Sequence, residues 1–179
     1  MKKMENRSLF FIAIIPPGPP RKRIANLKIA FANRYESYHA LKSPPHITLV
    51  PPFKLNTTET DRIINRLHEF VTRESRLEIF MQGYGSFKTR VIYLNIEENE
   101  ALASLQKRLS SQIMMNYRSK NFKAHLTIAS RDLSFEMFSK AWDDYKNEPF
   151  TDSFEVDRLH LLKHDGKIWK IEKEFEFNK

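Results

Sequence analysis

The chain has 179 residues, 41% of them hydrophobic and 12% aromatic, a length that suits one domain and a composition that excludes general disorder. It has no cysteine, which excludes disulfides, thiolate metal sites and a cysteine nucleophile, and fits a reducing cytoplasm. Its net charge of +8 favours phosphate-bearing partners such as RNA or nucleotides.

The first apolar run, Leu9 to Ile15, is far shorter than the about 20 residues that cross a membrane. Lys2 and Lys3 precede it, but no small-residue cleavage pattern follows, only Pro16-Pro17-Gly18-Pro19-Pro20. The run is expected to be a strand buried on both faces. A helix is expected from about Pro20 to Tyr35, with Ile24, Leu27 and Phe31 at helical spacing. Arg21, Lys22 and Arg23 crowd its first turn, where the helix dipole disfavours them. They are candidates for meeting a phosphate chain, along with Lys88, Arg90 and Arg131.

Tyr38 to Leu41 reads as a short extended piece, and Ser43-Pro44-Pro45 keeps the backbone extended into His46. Pro51-Pro52 is expected to close that strand, since Pro cannot donate to a ladder. Asn56, with Glu59 three residues on, is a capping box opening a helix striped with Ile63, Ile64, Leu67, Phe70 and Val71. Strands are expected at Leu77 to Met81 and Arg90 to Ile96, joined by a loop punctuated by Gly83 and Gly85. A helix from about Glu100 to Met115 precedes a strand from Lys123 to Ala129. Ser134 caps a last helix, with Leu133 stapled against Phe138 and a buried stripe of Phe135, Phe138, Trp142 and Tyr145. Phe154 to His164 and Lys167 to Phe177 flank Asp165-Gly166, a two-residue hairpin signal.

Two tetrapeptides carry the chemistry. His46-Ile47-Thr48-Leu49 and His125-Leu126-Thr127-Ile128 begin 79 positions apart and share one pattern: His, apolar, Thr, apolar. Side chains alternate along a strand, so each His shares a face with its Thr while the apolar pair takes the other. Each motif strand lies between two helices, which reads as an internal pseudo-repeat. The fold class is α+β: two lobes with pseudo-two-fold symmetry, two antiparallel sheets facing a central cleft, helices outside. Residues 1–179 would form this one domain.

Two histidines beside a phosphodiester can divide the work. One removes a proton from water and the other delivers one to the leaving oxygen. Each Thr hydroxyl can donate to a non-bridging oxygen where charge builds. The remaining histidines offer no metal site. His68 borders a helix stripe, His39 is uninformative, and His160 and His164 lie on a hairpin arm with no third ligand. Neither metal nor cofactor is expected. Four glycines cannot build a phosphate loop, and no nucleophile elbow is visible.

The paired motif at this spacing, over nearly the whole chain, resembles the 2H phosphoesterase superfamily, which includes LigT-like 2′-5′ RNA ligases and RNA 2′,3′-cyclic phosphodiesterases. The resemblance implies that His46, Thr48, His125 and Thr127 are catalytic. It implies opening of a 2′,3′-cyclic phosphate, typically to a 2′-phosphate, without metal. It also implies His46 as acid to the 3′-oxygen and His125 as base. Phe87, Arg90 and Arg131 resemble the aromatic and basic residues that line such clefts, where a base can stack and a guanidinium can fork onto phosphate. The chain departs from the family at Val50-Pro51-Pro52-Phe53, where many members continue with a glycine-containing loop. The expected substrate is RNA with a 2′,3′-cyclic phosphate end or a small cyclic nucleotide, met by a cytoplasmic monomer with no membrane contact. The alternatives are a 2′-5′ RNA ligase or 2′-5′ oligonucleotide phosphodiesterase, and a non-catalytic RNA-binding module.

Overall fold

A computed structural model of the chain describes residues 7–113 and 122–178. In chain order these form β1 (Ser8–Ile14), α1 (Gly18–Tyr35), a 3-10 turn (His39–Lys42), β2 (Ile47–Leu55), α2 (Thr57–Val71), β3 (Leu77–Phe87), β4 (Val91–Ile96) and α3 (Glu100–Ile113). After residues 114–121 come β5 (His125–Ala129), α4 (Phe135–Tyr145), β6 (Thr151–Val156), β7 (Arg158–His164) and β8 (Trp169–Glu176). The strands form one antiparallel sheet in the order β6-β3-β4-β5-β2-β1-β7-β8. The expected α+β, two-lobed plan is present. Its two four-stranded halves meet at one residue pair, Ile47 with Leu126, between β2 and β5.

β1 is buried on both faces, as its unbroken apolar run requires. Phe10, Ile12 and Ile14 enter the main core. Phe11, Ala13 and Ile15 face the other way and form a smaller cluster with Leu162. The helices cover the main-core face, and they cross between halves. α1 follows β1 in the chain but packs on β5, β6 and α4 of the other half, while α3 packs on β2 and α2. Phe31 and Tyr35 of α1 meet Tyr145 of α4, and the Tyr35 hydroxyl donates to Asp144 at 2.6 Å. Beyond the Ile47–Leu126 pair, the Leu49 carbonyl accepts from buried Gln106 of α3 at 3.1 Å. A helix side chain thus satisfies a backbone group that the diverging strand leaves open.

Both expected caps form. Asn56 accepts from the Glu59 backbone while Glu59 returns the bond, and Ser134 accepts from Met137. Several other elements differ from their sequence-based expectation. Residues 39–42 wind into a 3-10 turn rather than extending, because the Asp132 carboxylate accepts from the Tyr38 and His39 backbone and the Ser37 hydroxyl. Pro51 and Pro52 do not end β2, which continues to Leu55 against β1. A register shift between Phe10 and Ile12 accommodates the two prolines, and no strand needs their missing donors on the β5 side. β3 runs on through Gly83 and Gly85 to Phe87, with Gly83 at φ +64° beside a register shift.

The long first hairpin arm is two strands broken at Asp157. β6 pairs with β3 at one end of the sheet, and β7 pairs with β1 and β8 near the other. Consecutive strands can reach opposite ends only because the sheet curls. Phe135 is 70% exposed and leaves the α4 stripe, which buries Phe138 and Ala141 instead. The expected last residues of α3, Met114 and Met115, lie outside the described residues.

Candidate active site

Ile47 and Leu126 are fully buried in the main core and directly paired. Strand alternation then turns His46, Thr48, His125 and Thr127 to the opposite face. Antiparallel register sets His46 across from Thr127 and Thr48 across from His125. The four side chains are half-buried. The sheet therefore brings together all four motif residues that the sequence singled out.

The two histidines are held alike. His46 Nδ1 donates to the Pro44 carbonyl at 2.8 Å, and His125 Nδ1 donates to the Lys123 carbonyl at 2.7 Å. Each bond reaches back two residues along the chain. With Nδ1 carrying hydrogen, the second ring nitrogen Nε2 remains for proton transfer. Aromatic rings fix each imidazole. Phe11 lies 4.9 Å from His46, with Trp169 edge-on behind it at 4.6 Å. Phe87 stands edge-on to His125 at 4.8 Å, and Tyr93 lies 5.2 Å away.

Tyr93 can approach because Gly85 has no side chain. A Cβ there would come within 2.5 Å of the Tyr93 ring and 2.6 Å of Asn95. Gly85→Ala is expected to destabilise the fold by about 1–3 kcal/mol through overpacking. It should also displace one of the rings that orients His125. Urea unfolding reads the first effect, and an unchanged midpoint would contradict it.

A cleft gathers His46, Thr48 and Thr127 with Phe11, Ser130 and Arg131. His125 borders this space rather than lining it, yet it is close enough for its charge to depress His46. Burial is the main cause that lowers His46, to about 4, and positive Lys28 adds to it. His125 is lowered too, by burial first and then by Lys123. Both rings are thus neutral near pH 7 when no anion is bound.

His160, buried beside Glu174, is likewise lowered to about 4 by burial. Below the ordinary value of 6.5, the unfolded chain protonates at His46 and His160 while the folded chain does not, until about pH 4. Their contribution to stability is complete above about 6.5 and is lost as pH falls toward 4. The unfolding free energy in urea should therefore drop across that window, with a shallower slope in His160→Gln. Equal slopes in the two proteins would refute this.

The other expected residues divide. Arg131 lines the cleft, with a left-handed backbone at φ 64°. Phe87 reaches His125. Arg90 is exposed in the β3–β4 turn, beside Lys88, and neither lines the cleft. Arg23 is committed elsewhere: it donates to the Thr151 carbonyl at 2.7 Å, pairs with Asp152 at 3.1 Å and covers the Phe150 ring. It is a structural residue, not a free phosphate contact. His39, which the sequence left without a role, lines the cleft beside Arg131.

Sequence reasoning missed Lys28, Lys42 and Trp169, all in the cleft wall. Lys28 had a signal. It stands on the same helical stripe as Ile24, Phe31 and Tyr35, and a charge on an apolar stripe needs a reason to be there. Trp169 had none, because its contact with Phe11 depends on how β8 folds back.

Known proteins match this architecture. Residues 16–168 match the family model of the 2′-5′ RNA ligase superfamily. A protein of Geobacillus sp. (strain WCH70), named as a candidate phosphoesterase, is 32% identical over 145 residues, covering 80% of this chain and 83% of its own. A similarly named protein of Bacillus pumilus is 30% identical over 145 residues, covering 80% and 84%. E. coli LigT in apo form superposes with a TM-score of 0.70 at 18% identity, covering 97% of this chain and 99% of its own. A protein of Thermus thermophilus gives 0.66 at 17% identity, covering 94% and 97%. The structural likenesses speak for the fold, and the matches over most of the sequence speak for descent. The chain belongs to the 2′-5′ RNA ligase superfamily, the 2H phosphoesterases.

Proposed function

We propose that the chain, acting as one two-lobed unit, is a phosphodiesterase that opens 2′,3′-cyclic phosphates with water to leave 2′-phosphates, needing no metal. The observation that carries this is the pairing of Ile47 with Leu126, which turns two His and two Thr to one face. Support comes from LigT, which shares the fold and has been solved with 3′-AMP.

In this reading Thr48 and Thr127 donate to the non-bridging oxygens of the reacting phosphate, and Arg131 adds charge from the cleft wall. Water attacks phosphorus and gives its proton to one Nε2. The bond from phosphorus to the 3′-oxygen breaks, and the other Nε2 returns a proton to that oxygen. Burial lowers both imidazoles, with Lys28 adding at His46 and Lys123 at His125, so cleft charge does not separate them, and His46 is taken as acid and His125 as base, as the family resemblance implies. A bound phosphate raises both histidines, which lets one of them carry the proton that the leaving oxygen needs. Among the described residues no three or more His, Asp or Glu cluster as a metal-binding group.

The test is incubation, with EDTA present, of 2′,3′-cyclic mononucleotides, RNA with a 2′,3′-cyclic phosphate end and 2′-5′-linked dinucleotides. We expect the cyclic substrates to be turned over and their product to carry a 2′-phosphate. Binding without turnover would favour the RNA-binding module. Turnover restricted to the 2′-5′ linkage would favour the oligonucleotide phosphodiesterase.

A further inference from the structure

Beside the cleft, and sharing Lys28, Lys42 and Trp169 with it, runs a second groove of about 490 Å³. One outward side of α1 forms its floor, the stretch from Leu41 to Pro45 its wall, and the turn before β8 its end. Ile29, Leu41 and Ile168 line it, three large apolar side chains that are 49%, 38% and 41% exposed. Its charged lining is of one sign: Arg21, Lys28 and Lys42, with no carboxylate.

Lys28 stands where the two spaces meet. It is 3% exposed and spends one donor on the Ser43 carbonyl at 2.8 Å. An ammonium has three donors, and a buried charge is costly unless paired. No carboxylate pairs with it among the described residues, and burial alone lowers its pKa, to about 8. Such a group is suited to an anion that arrives with a ligand.

The chemistry of the substrate says which part of the ligand this is. A 2′,3′-cyclic phosphate closes the 3′ end of a strand, so every further nucleotide lies on its 5′ side. We propose that the groove is the subsite for the nucleotide 5′ to the reacting end, with Lys28 at the linking phosphate and Ile29, Leu41 and Ile168 against the base. This rests on the cyclic-phosphate reading of the cleft, and it names RNA ends, rather than free cyclic mononucleotides, as the substrate class. Trp169, half-buried at the junction, offers the strand a ring edge or face as it passes.

Two measurements test it. Calorimetric titration compares a 3′-phosphorylated dinucleotide with a nucleoside 3′-phosphate, and needs no turnover. Turnover is then compared for the corresponding 2′,3′-cyclic forms. The dinucleotide should bind about 5-fold tighter or more, the low end of what a base gains on an aromatic face, because Ile29, Leu41 and Ile168 are aliphatic. Lys28→Met and Ile168→Asp should each bring the ratio of the two affinities toward one. Ile168 lies in an exposed turn, so its variant keeps the test open should Lys28→Met fail to fold.

A wild-type ratio near one, or a ratio that both variants leave intact, overturns the subsite. A dimer in sedimentation that Ile168→Asp converts to monomer would overturn it in favour of a self-association face. Turnover of both cyclic substrates without preference removes the subsite and leaves the phosphodiesterase standing. A Lys28-dependent preference in binding, with no turnover of either, removes the phosphodiesterase and leaves the subsite.

Discussion

Replacing His46 or His125 with Ala is expected to lower turnover of a cyclic phosphate by about 10²–10⁴-fold, the usual contribution of one general acid or base. Each imidazole is aimed by a bond from Nδ1 to a backbone carbonyl, so its loss removes a proton carrier without rearranging the strand. Affinity should fall much less than rate, because Thr48, Thr127 and Arg131 remain. The double variant should lose less than the product of the single losses, since the two rings serve one transition state.

The wild-type rate should be bell-shaped in pH, requiring one neutral and one protonated ring, and each single variant should lose one limb. With His46 as acid, His46→Ala removes the alkaline limb and His125→Ala the acidic one. The reverse pattern would exchange the two roles. Variants that keep full turnover but lose binding would sink the catalytic reading altogether.

Ile47→Ala, one residue along the same strand, should do the opposite. Ile47 is fully buried, pairs with Leu126 across the join between halves and with Ile14 on β1. Truncating a buried Ile to Ala costs about 2–5 kcal/mol, from lost burial and the cavity left behind. The expected result in urea is a large drop in midpoint with little change in slope. A loss under about 1 kcal/mol would mean the join closes over the gap, and that the single pair is not what holds the halves in register. In the proposed mechanism neighbouring residues carry separate duties, chemistry on one face of β2 and cohesion on the other.

Much of this was legible in the chain. The alternation of His and Thr with buried apolar residues is a period-2 signal, and the structure turns both motifs as that period requires. Asn56 with Glu59, and Ser134, marked helix starts because their side chains bond the backbone three residues on. Asp165 and Gly166 lie in the turn before β8, with Gly166 at φ +101°. Phe135 misled because helical spacing alone cannot say how wide the buried stripe is. At 70% exposure it lies just beyond the face that α4 presents to the core.

What the sequence determined by itself was whatever a residue and its near neighbours settle: strand alternation, helix caps, the hairpin turn, and the types of side chain able to move protons. Tertiary structure decided the rest. It paired Ile47 with Leu126 and so brought four motif residues to one face, and it carried β2 through two prolines because no strand needed their donors. It broke the last long arm at Asp157 so that its halves could serve opposite ends of a curled sheet. It also delivered buried Lys28 from α1 to the carbonyl of Ser43, beside His46, and turned Arg23 away to Asp152. The physical reason is range. Caps, turns and alternation act over a few residues, whereas the pKa of His46 is set by burial and by charges on other elements, which meet only when the sheet has formed.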